Sequence, residues 1–367
     1  MRHLSERLSS WAARSGAALV SRAEAQAFSR LAEALPVQSS TYYAELRFAP
    51  LRQLDLLLAL GSDTKSDAIA AIANRRLGWE PSAAAAWERA RDLLDRWLRR
   101  GSALRPLISR AWLEFDDVNT PWAAVAPSIS ACLVPGYSGE GRVEPVASRE
   151  QEIHAAREVY RAIAGEWESR AALDAIEDTV RSLPPTGRVI HVSVMTARTP
   201  PTAKLYLVVP RAALVPYLET IAWSGSYSLL ERLLVQLATE PLCGADLYVD
   251  LNLSTFRESN ATLGIAFSRQ QMSADPERAQ LLRSLVERGQ CSERERAALS
   301  AWRGPEDPDE RRWLDFKTVQ TGEQPLQTKV YLGLAHPSSA FASAFTMPSR
   351  KPPAPAATTL SSRSNDS

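Results

Sequence analysis

The chain has 367 residues, of which 45% are hydrophobic and 23% charged, and a formal net charge of +1. This is ordinary globular composition: near-neutrality removes any bias toward nucleic acid, and no run approaches the roughly 18 apolar residues of a membrane span. Cys132, Cys243 and Cys291 are odd in number and scattered, so they read as isolated thiols, not a disulfide framework or zinc site. The first residues have no continuous apolar core and carry Glu6, so the expected location is the reducing cytoplasm.

In chain order, residues 3–35 carry a helical period, and Ser21 with Glu24 is spaced as a capping box for the second helix there. TYYAELRFAP (41–50) and RQLDLLLAL (52–60) alternate as strands, and Gly61 ends the pair. Helical periods follow at 64–77 and 81–99, the second stopped by Gly101. AWLEFDD (111–117) and PSISACLV (127–134) make a second strand pair across a turn with Asn119 and Pro121. The polar stretch 135–148 reads either as a mobile lid or as a plain connection.

Helices at 149–167 and 168–183 lead to Pro184 and Pro185, then VIHVSVMTAR (189–198) and AKLYLVVP (203–210) pair across TPPT. Two more helices run through 211–222 and 226–239, and DLYVDLNLS (246–254) pairs with TLGIAFS (262–268). Asp275 and Pro276 open a helix as cap and first-turn proline, and Ser292 with Glu295 makes another capping box. WLDFKTVQ (313–320) and TKVYLGLAH (328–336) are the fifth pair, joined through Gly322 and Pro325. From 348 to 367 the chain turns to Pro, Ala, Ser and Thr, the composition of a disordered tail, leaving 1–347 as one domain.

The same order, two helices then two strands, recurs five times. Residues two apart share a face of a strand, and nearly every strand here has one apolar and one polar face. The apolar face must pack helices and the polar face must meet water or a cavity. The pattern predicts an α+β fold: a ten-stranded closed antiparallel β-barrel surrounded by helices, with a polar lumen. The hairpin-to-hairpin spacing, roughly 55–80 residues, is too long for small solenoid repeats. A βαβ fold would need single strands with near-continuous apolar runs.

Alternation then assigns the lumen. Tyr43, Glu45, Arg47 and Asp55 point inward from the first pair, and Trp112, Glu114, Asp116, Ser128, Ser130 and Cys132 from the second. His191, Ser193, Met195, Lys204 and Tyr206 follow, then Asp246, Tyr248, Asp250 and Asn252, then Trp313, Asp315, Lys317, Lys329 and Tyr331. Buried charge is expensive unless paired or solvated, so these groups either satisfy one another or bind something polar. Lys204-x-Tyr206 recurs as Lys329-x-Tyr331, which presents a cation and a hydroxyl to one anion such as a diphosphate; chance recurrence is the bland reading. Glu45 reads as a general base or as a salt-bridge partner of Arg47 or a lysine. His191 reads as an acid or base, or as a hydrogen-bonded structural histidine. No nucleophile elbow, Walker loop, HExxH or CxxC is present, and GYSGEG (136–141) lacks a strand-to-helix context.

This pattern resembles the αββα barrel (ABBA fold, PT-barrel) of aromatic prenyltransferases, which include fungal indole, bacterial phenol and cyanobactin peptide enzymes. TAKLYLVV and TKVYLGL are similar to that family's diphosphate-binding strands, and AELRF puts Glu45 where the family often carries a base. The resemblance covers 40–336 in architecture and these three places in motif. It implies a transferase of natural-product biosynthesis that moves a dimethylallyl or geranyl group from an allylic diphosphate to an aromatic or peptide acceptor. Lys204, Lys329, Lys317 and Arg47 would neutralise the diphosphate. Tyr206, Tyr248, Tyr331 and Trp112 or Trp313 would stabilise the cation, and Glu45 would take the acceptor's proton.

One departure stands out. Seven inward acids (Glu45, Asp55, Glu114, Asp116, Asp246, Asp250, Asp315) face four permanent cations (Arg47, Lys204, Lys317, Lys329). One repair is a Mg²⁺ ion bridging acid to diphosphate, with no organic cofactor expected. Another is a cationic acceptor, such as a basic peptide side chain, held by acids like Glu114 and Asp250. A third is loss of prenyl transfer, leaving a non-catalytic barrel that binds a peptide or cationic metabolite as an accessory protein. A different enzyme on the same barrel, using the acids as a metal or acid–base site, also fits.

Overall fold

The computed structural model describes residues 18–34, 41–48, 52–61, 79–133, 148–239, 246–258, 260–267, 275–302, 311–324 and 326–335. The helical periods before 18 and at 64–77, nearly all of the stretch 135–148, Cys243, Pro325 and the tail from 348 lie outside the described residues.

Ten strands form one closed antiparallel barrel. They are β1 (Thr41–Arg47), β2 (Gln53–Leu60), β3 (Arg110–Phe115), β4 (Ser128–Cys132), β5 (Arg188–Met195), β6 (Thr202–Pro210), β7 (Asp246–Asn252), β8 (Thr262–Phe267), β9 (Arg311–Thr321) and β10 (Gln327–Ala335). Each strand pairs with its neighbours in sequence, and β1 pairs with β10 from Thr41↔Ala335 to Arg47↔Lys329. Closure leaves no unpaired strand edge.

Eight α-helices are described around it: α1 (Arg22–Ala34), α2 (Pro81–Leu98), α3 (Arg149–Ala164), α4 (Arg170–Arg181), α5 (Leu214–Thr220), α6 (Tyr227–Thr239), α7 (Asp275–Glu287) and α8 (Glu293–Ala301). Their starts follow local chemistry. Ser21 and Glu24 exchange hydrogen bonds ahead of α1, and Ser148–Gln151 and Ser292–Glu295 are full capping boxes for α3 and α8. Such caps satisfy amide donors that the first helical turn leaves open. The helix expected over 211–222 is instead a 3₁₀ turn, Arg211–Ala213, followed by the short α5.

The helices pack on the outward faces of the strands. Leu46, Leu54, Leu56, Leu113, Val192, Leu205, Leu251, Phe316 and Leu332 share one buried core with Phe28, Trp87, Leu93, Ile163, Ile176 and Leu285 from the helices. Each fully buried leucine or phenylalanine there contributes about 1.5–3 kcal/mol. Tryptophans lock the layers in place: Trp87 donates to Val125 O at 2.9 Å, Trp97 to Ile108 O at 2.8 Å and Trp302 to Trp313 O at 3.1 Å.

Alternation holds along the barrel with one break. The β5–β6 register shifts between Val189 and His191. Val189 packs in the outer core, while the extra residue, Ile190, joins the interior cluster.

Candidate active site

The inward faces build two aromatic groups. Tyr43 on β1 is the centre of the first: its ring lies 5.5 Å from Trp112, and 5.4 Å from Trp313 and 6.2 Å from Tyr331 edge-on. The Trp313 indole N–H is 3.1 Å from both the Tyr43 hydroxyl and the Asp315 carboxylate. Gly333, the partner of both Tyr43 and Trp313 in register, makes room for that indole, because a Cβ there would lie 2.2 Å from Trp313 Cε2. The second group is a stack: His191 on Tyr206 at 5.2 Å and Tyr206 on Tyr248 at 6.1 Å.

Charges lie among these rings. Arg47 reaches Asp55 at 2.6 Å, Glu45 at 3.4 Å and Asp116 at 3.5 Å. Lys329 donates to Glu45. Lys317 lies 2.8 Å from Asp250 and 5.6 Å from the Tyr331 ring centroid, and Lys204 is 3.8 Å from the same carboxylate. Gly264 lies beside this pair, where a Cβ would be 3.0 Å from Lys317 Cδ and 3.1 Å from Asp250 Cβ. Asp55 is fully buried and also accepts from Gln53 Nε2 at 2.6 Å and the Asp117 amide at 2.8 Å.

The structure thus brings Glu45, Arg47, Trp112, Glu114, His191, Lys204, Tyr206, Tyr248, Asp250, Trp313, Lys317, Lys329 and Tyr331 to one interior. Asp246 is the exception among the expected acids: it opens β7 and is exposed. Two cations escaped the sequence reading. Arg198 lies in the turn after β5, beyond the reach of strand alternation, and pairs with Asp116 at 3.2 Å. Arg110 starts β3 one residue before the expected strand, on the Trp112 face, with its guanidinium carbon 5.7 Å from that ring centroid. Arg110 and Arg198 thus add cations that strand alternation did not count, and Asp246 is at the exposed start of β7, so the acid surplus expected from the sequence is smaller in the structure.

The network sets the protonation states. Burial alone would raise Glu45, but Lys329, Arg47 and Lys317 hold its carboxyl well below the usual range. Burial also opposes ionisation of Asp250, and Lys204 and Lys317 outweigh it, so Asp250 stays charged. Asp55 goes the other way, pushed up to about 7 by burial and the facing Glu45, against the pull of Arg47. His191 is pushed down to about 3 by burial, with the Arg110 charge adding to the effect, so the stacked imidazole is neutral. Lys204, Asp250, Glu114 and Asp116 keep partial exposure, so solvent reaches the interior.

Among the described residues, no group of three or more His, Cys, Asp or Glu gathers as a metal cluster. No helix among them is long and apolar enough to cross a membrane.

A helix-wrapped, closed antiparallel ten-stranded barrel with a charged, aromatic interior is the αββα-barrel fold of the aromatic prenyltransferases. Solved structures with this fold match nearly the whole chain. PriB bound to product diphosphate shares 16% identity over 90% of this chain and 96% of its own, with a TM-score of 0.55. The 5-dimethylallyl tryptophan synthase from Streptomyces coelicolor, in complex with DMASPP and Trp, shares 15% over 95% and 96%, with a TM-score of 0.53. AnaPT from Neosartorya fischeri shares 12% over 84% and 86%, with a TM-score of 0.53. No family model and no curated protein matches the sequence.

Proposed function

We propose that this barrel transfers a prenyl group, dimethylallyl or geranyl, from an allylic diphosphate to an aromatic acceptor held in its interior. One observation carries the reading: Lys204, Lys317, Lys329 and Arg47 converge inside a wall of Tyr43, Trp112, Tyr206, Tyr248, Trp313 and Tyr331. Cations suit a departing diphosphate, and electron-rich ring faces suit the allylic cation it leaves behind. Solved neighbours hold diphosphate, or tryptophan with a dimethylallyl thiolodiphosphate, which supports the same pairing of ligands here. An aromatic side chain within a peptide is the same nucleophile and is the wider acceptor class we propose, in a natural-product pathway.

The residues take distinct roles in this reading. Lys204 and Lys317 exchange Asp250 for diphosphate oxygens, and Lys329 and Arg47, in register with Lys317 on the next two strands, add charge. Tyr206 and Tyr248, stacked with neutral His191, line one side of the allylic group, and Tyr331 lies beneath Lys317. A Mg²⁺ ion bridging one interior carboxylate to the diphosphate would need only one or two protein ligands, its other positions being taken by phosphate oxygens and water, and would neutralise the leaving group further. The described thiols, Cys132 and Cys291, are free and buried, which supports a reducing compartment such as the cytoplasm.

A second reading, a barrel that binds a peptide or cationic metabolite without turnover, is favoured by the paired state of Lys317, Lys329 and Arg47. Calorimetric titration with dimethylallyl and geranyl thiolodiphosphates, with and without Mg²⁺, separates the two. Binding that is lost in Lys204→Ala, with prenylated product formed from the natural diphosphates, is expected. Binding of cationic ligands alone would favour the second reading.

A further inference from the structure

The interior acids differ in how they are held. Glu45 is gripped by Lys329 and Arg47, Asp55 by Arg47, Gln53 and the Asp117 amide, Asp116 by Arg47 and Arg198, and Asp250 by the two lysines. Asp315 accepts from the Trp313 indole. Among the described residues, neither a hydrogen bond nor an ion pair reaches the Glu114 carboxylate.

Its position is defined by register. Glu114 on β3 is opposite Leu57 on β2, which is opposite Tyr43 on β1, so the carboxylate is level with the first aromatic group. On its other side it faces Ser128 of β4. Trp112 and Asp116 flank it on its own strand face. The charges of Glu45, Lys204 and Lys317 reach it across the barrel, and Arg198 from the β5–β6 turn. It is half-buried, lying between the aromatic wall and the lysines.

We propose that Glu114, not Glu45, accepts the proton that the aromatic acceptor loses when it is prenylated; this rests on the prenyl-transfer reading above. In that step the C1–O bond of the allylic diphosphate breaks and its electron pair leaves with the diphosphate. A π pair of the acceptor ring forms the new C–C bond to C1. The C–H pair then restores aromaticity, and the proton passes to a Glu114 carboxylate oxygen and later to water. A base must have a lone pair to give. Glu45 has its carboxylate engaged by two cations that hold it ionised, which makes it a weak proton acceptor. Burial and the neighbouring Asp116 and Glu45 charges raise the Glu114 carboxyl, which strengthens it as a base. Glu45 becomes a positioning residue for Lys329 and Arg47.

The test compares wild type, Glu114→Gln and Glu45→Gln with dimethylallyl diphosphate and a panel of indoles and phenols that includes L-tryptophan. Diphosphate release and prenylated product are measured separately from pH 5 to 9. The expected result is that Glu114→Gln still releases diphosphate, through water capture of the cation, while product formation falls about 10²–10⁴-fold. The acidic limb of the product pH profile should vanish in Glu114→Gln and persist in Glu45→Gln. Diphosphate release also reports that the variant is folded; if it is not, Glu114→Asp should keep transfer with a displaced acidic limb. Product formation at the wild-type rate in Glu114→Gln, an undisplaced limb in Glu114→Asp, or the whole pattern appearing in Glu45→Gln instead, overturns the inference. Wild type that cleaves no allylic diphosphate, or prenylates no acceptor, overturns the prenyl-transfer reading itself.

Discussion

The Lys317 ammonium lies 2.8 Å from the Asp250 carboxylate, and the same carboxylate pairs with Lys204 at 3.8 Å. In the proposed prenyl-transfer reading, a diphosphate oxygen would take the place that Asp250 holds between the two lysines. A ligand must displace an anion already present, which moderates its affinity.

Asp250→Asn is expected to tighten binding of inorganic diphosphate by about tenfold, because the competing charge is gone while both lysines remain. The same change should destabilise the empty protein by about 3–5 kcal/mol, since two buried ammonium groups then face each other. Calorimetry and urea unfolding read the two effects. Weaker diphosphate binding in the variant would mean that Asp250 instead orients the lysines for the ligand.

Arg47 serves three acids at once, Glu45, Asp55 and Asp116. Arg47→Met should cost about 3–5 kcal/mol at pH 8 by leaving them without that cation. The sign of its pH dependence follows. Asp55, already pushed up to about 7 by burial and Glu45 against the pull of Arg47, then binds its proton still more readily in the folded than in the unfolded state, so stability recovers as pH falls from 8 toward 5.5. Unfolding at those two pH values checks this; a penalty that is flat with pH would show that the loss is one of packing.

His191 gives the opposite slope. Its folded pKa is pushed down to about 3, below the ordinary value of 6.5. Below pH 6.5 the unfolded chain gains a proton that the folded chain does not, so stability falls with acidification. Between pH 7 and 4.5 this contribution is on the order of 2 kcal/mol. His191→Gln should lose less stability than wild type over that interval, and equal losses would mean that the imidazole is charged in the barrel.

Gly333→Ala tests the aromatic centre. An added Cβ would meet Trp313 Cε2 at 2.2 Å and Nε1 at 2.4 Å, on a ring packed against Tyr43. Over-packing of this kind costs about 1–3 kcal/mol and should shift tryptophan fluorescence. Gly264→Ala, where the neighbour at 3.0 Å is the flexible Lys317 side chain, should cost less.

The barrel was legible because period-2 alternation and the caps at Ser21 and Ser292 are local, so the sequence determined the strands, most of the described helices and which face of each strand turns inward. The same alternation turns Glu45, Lys204, Lys329 and Trp112 inward. Pairing across the barrel is not local. Only the closed barrel decided that Lys317 and Lys204 share Asp250, that Arg198 enters from a turn to hold Asp116, and that a one-residue bulge turns Ile190 inward. It also decided that Glu45 is held by Lys329 from a strand 284 residues away while Glu114 is left open. Alternation says which way a side chain points; which charge it meets depends on barrel register and curvature, and so does its proton affinity.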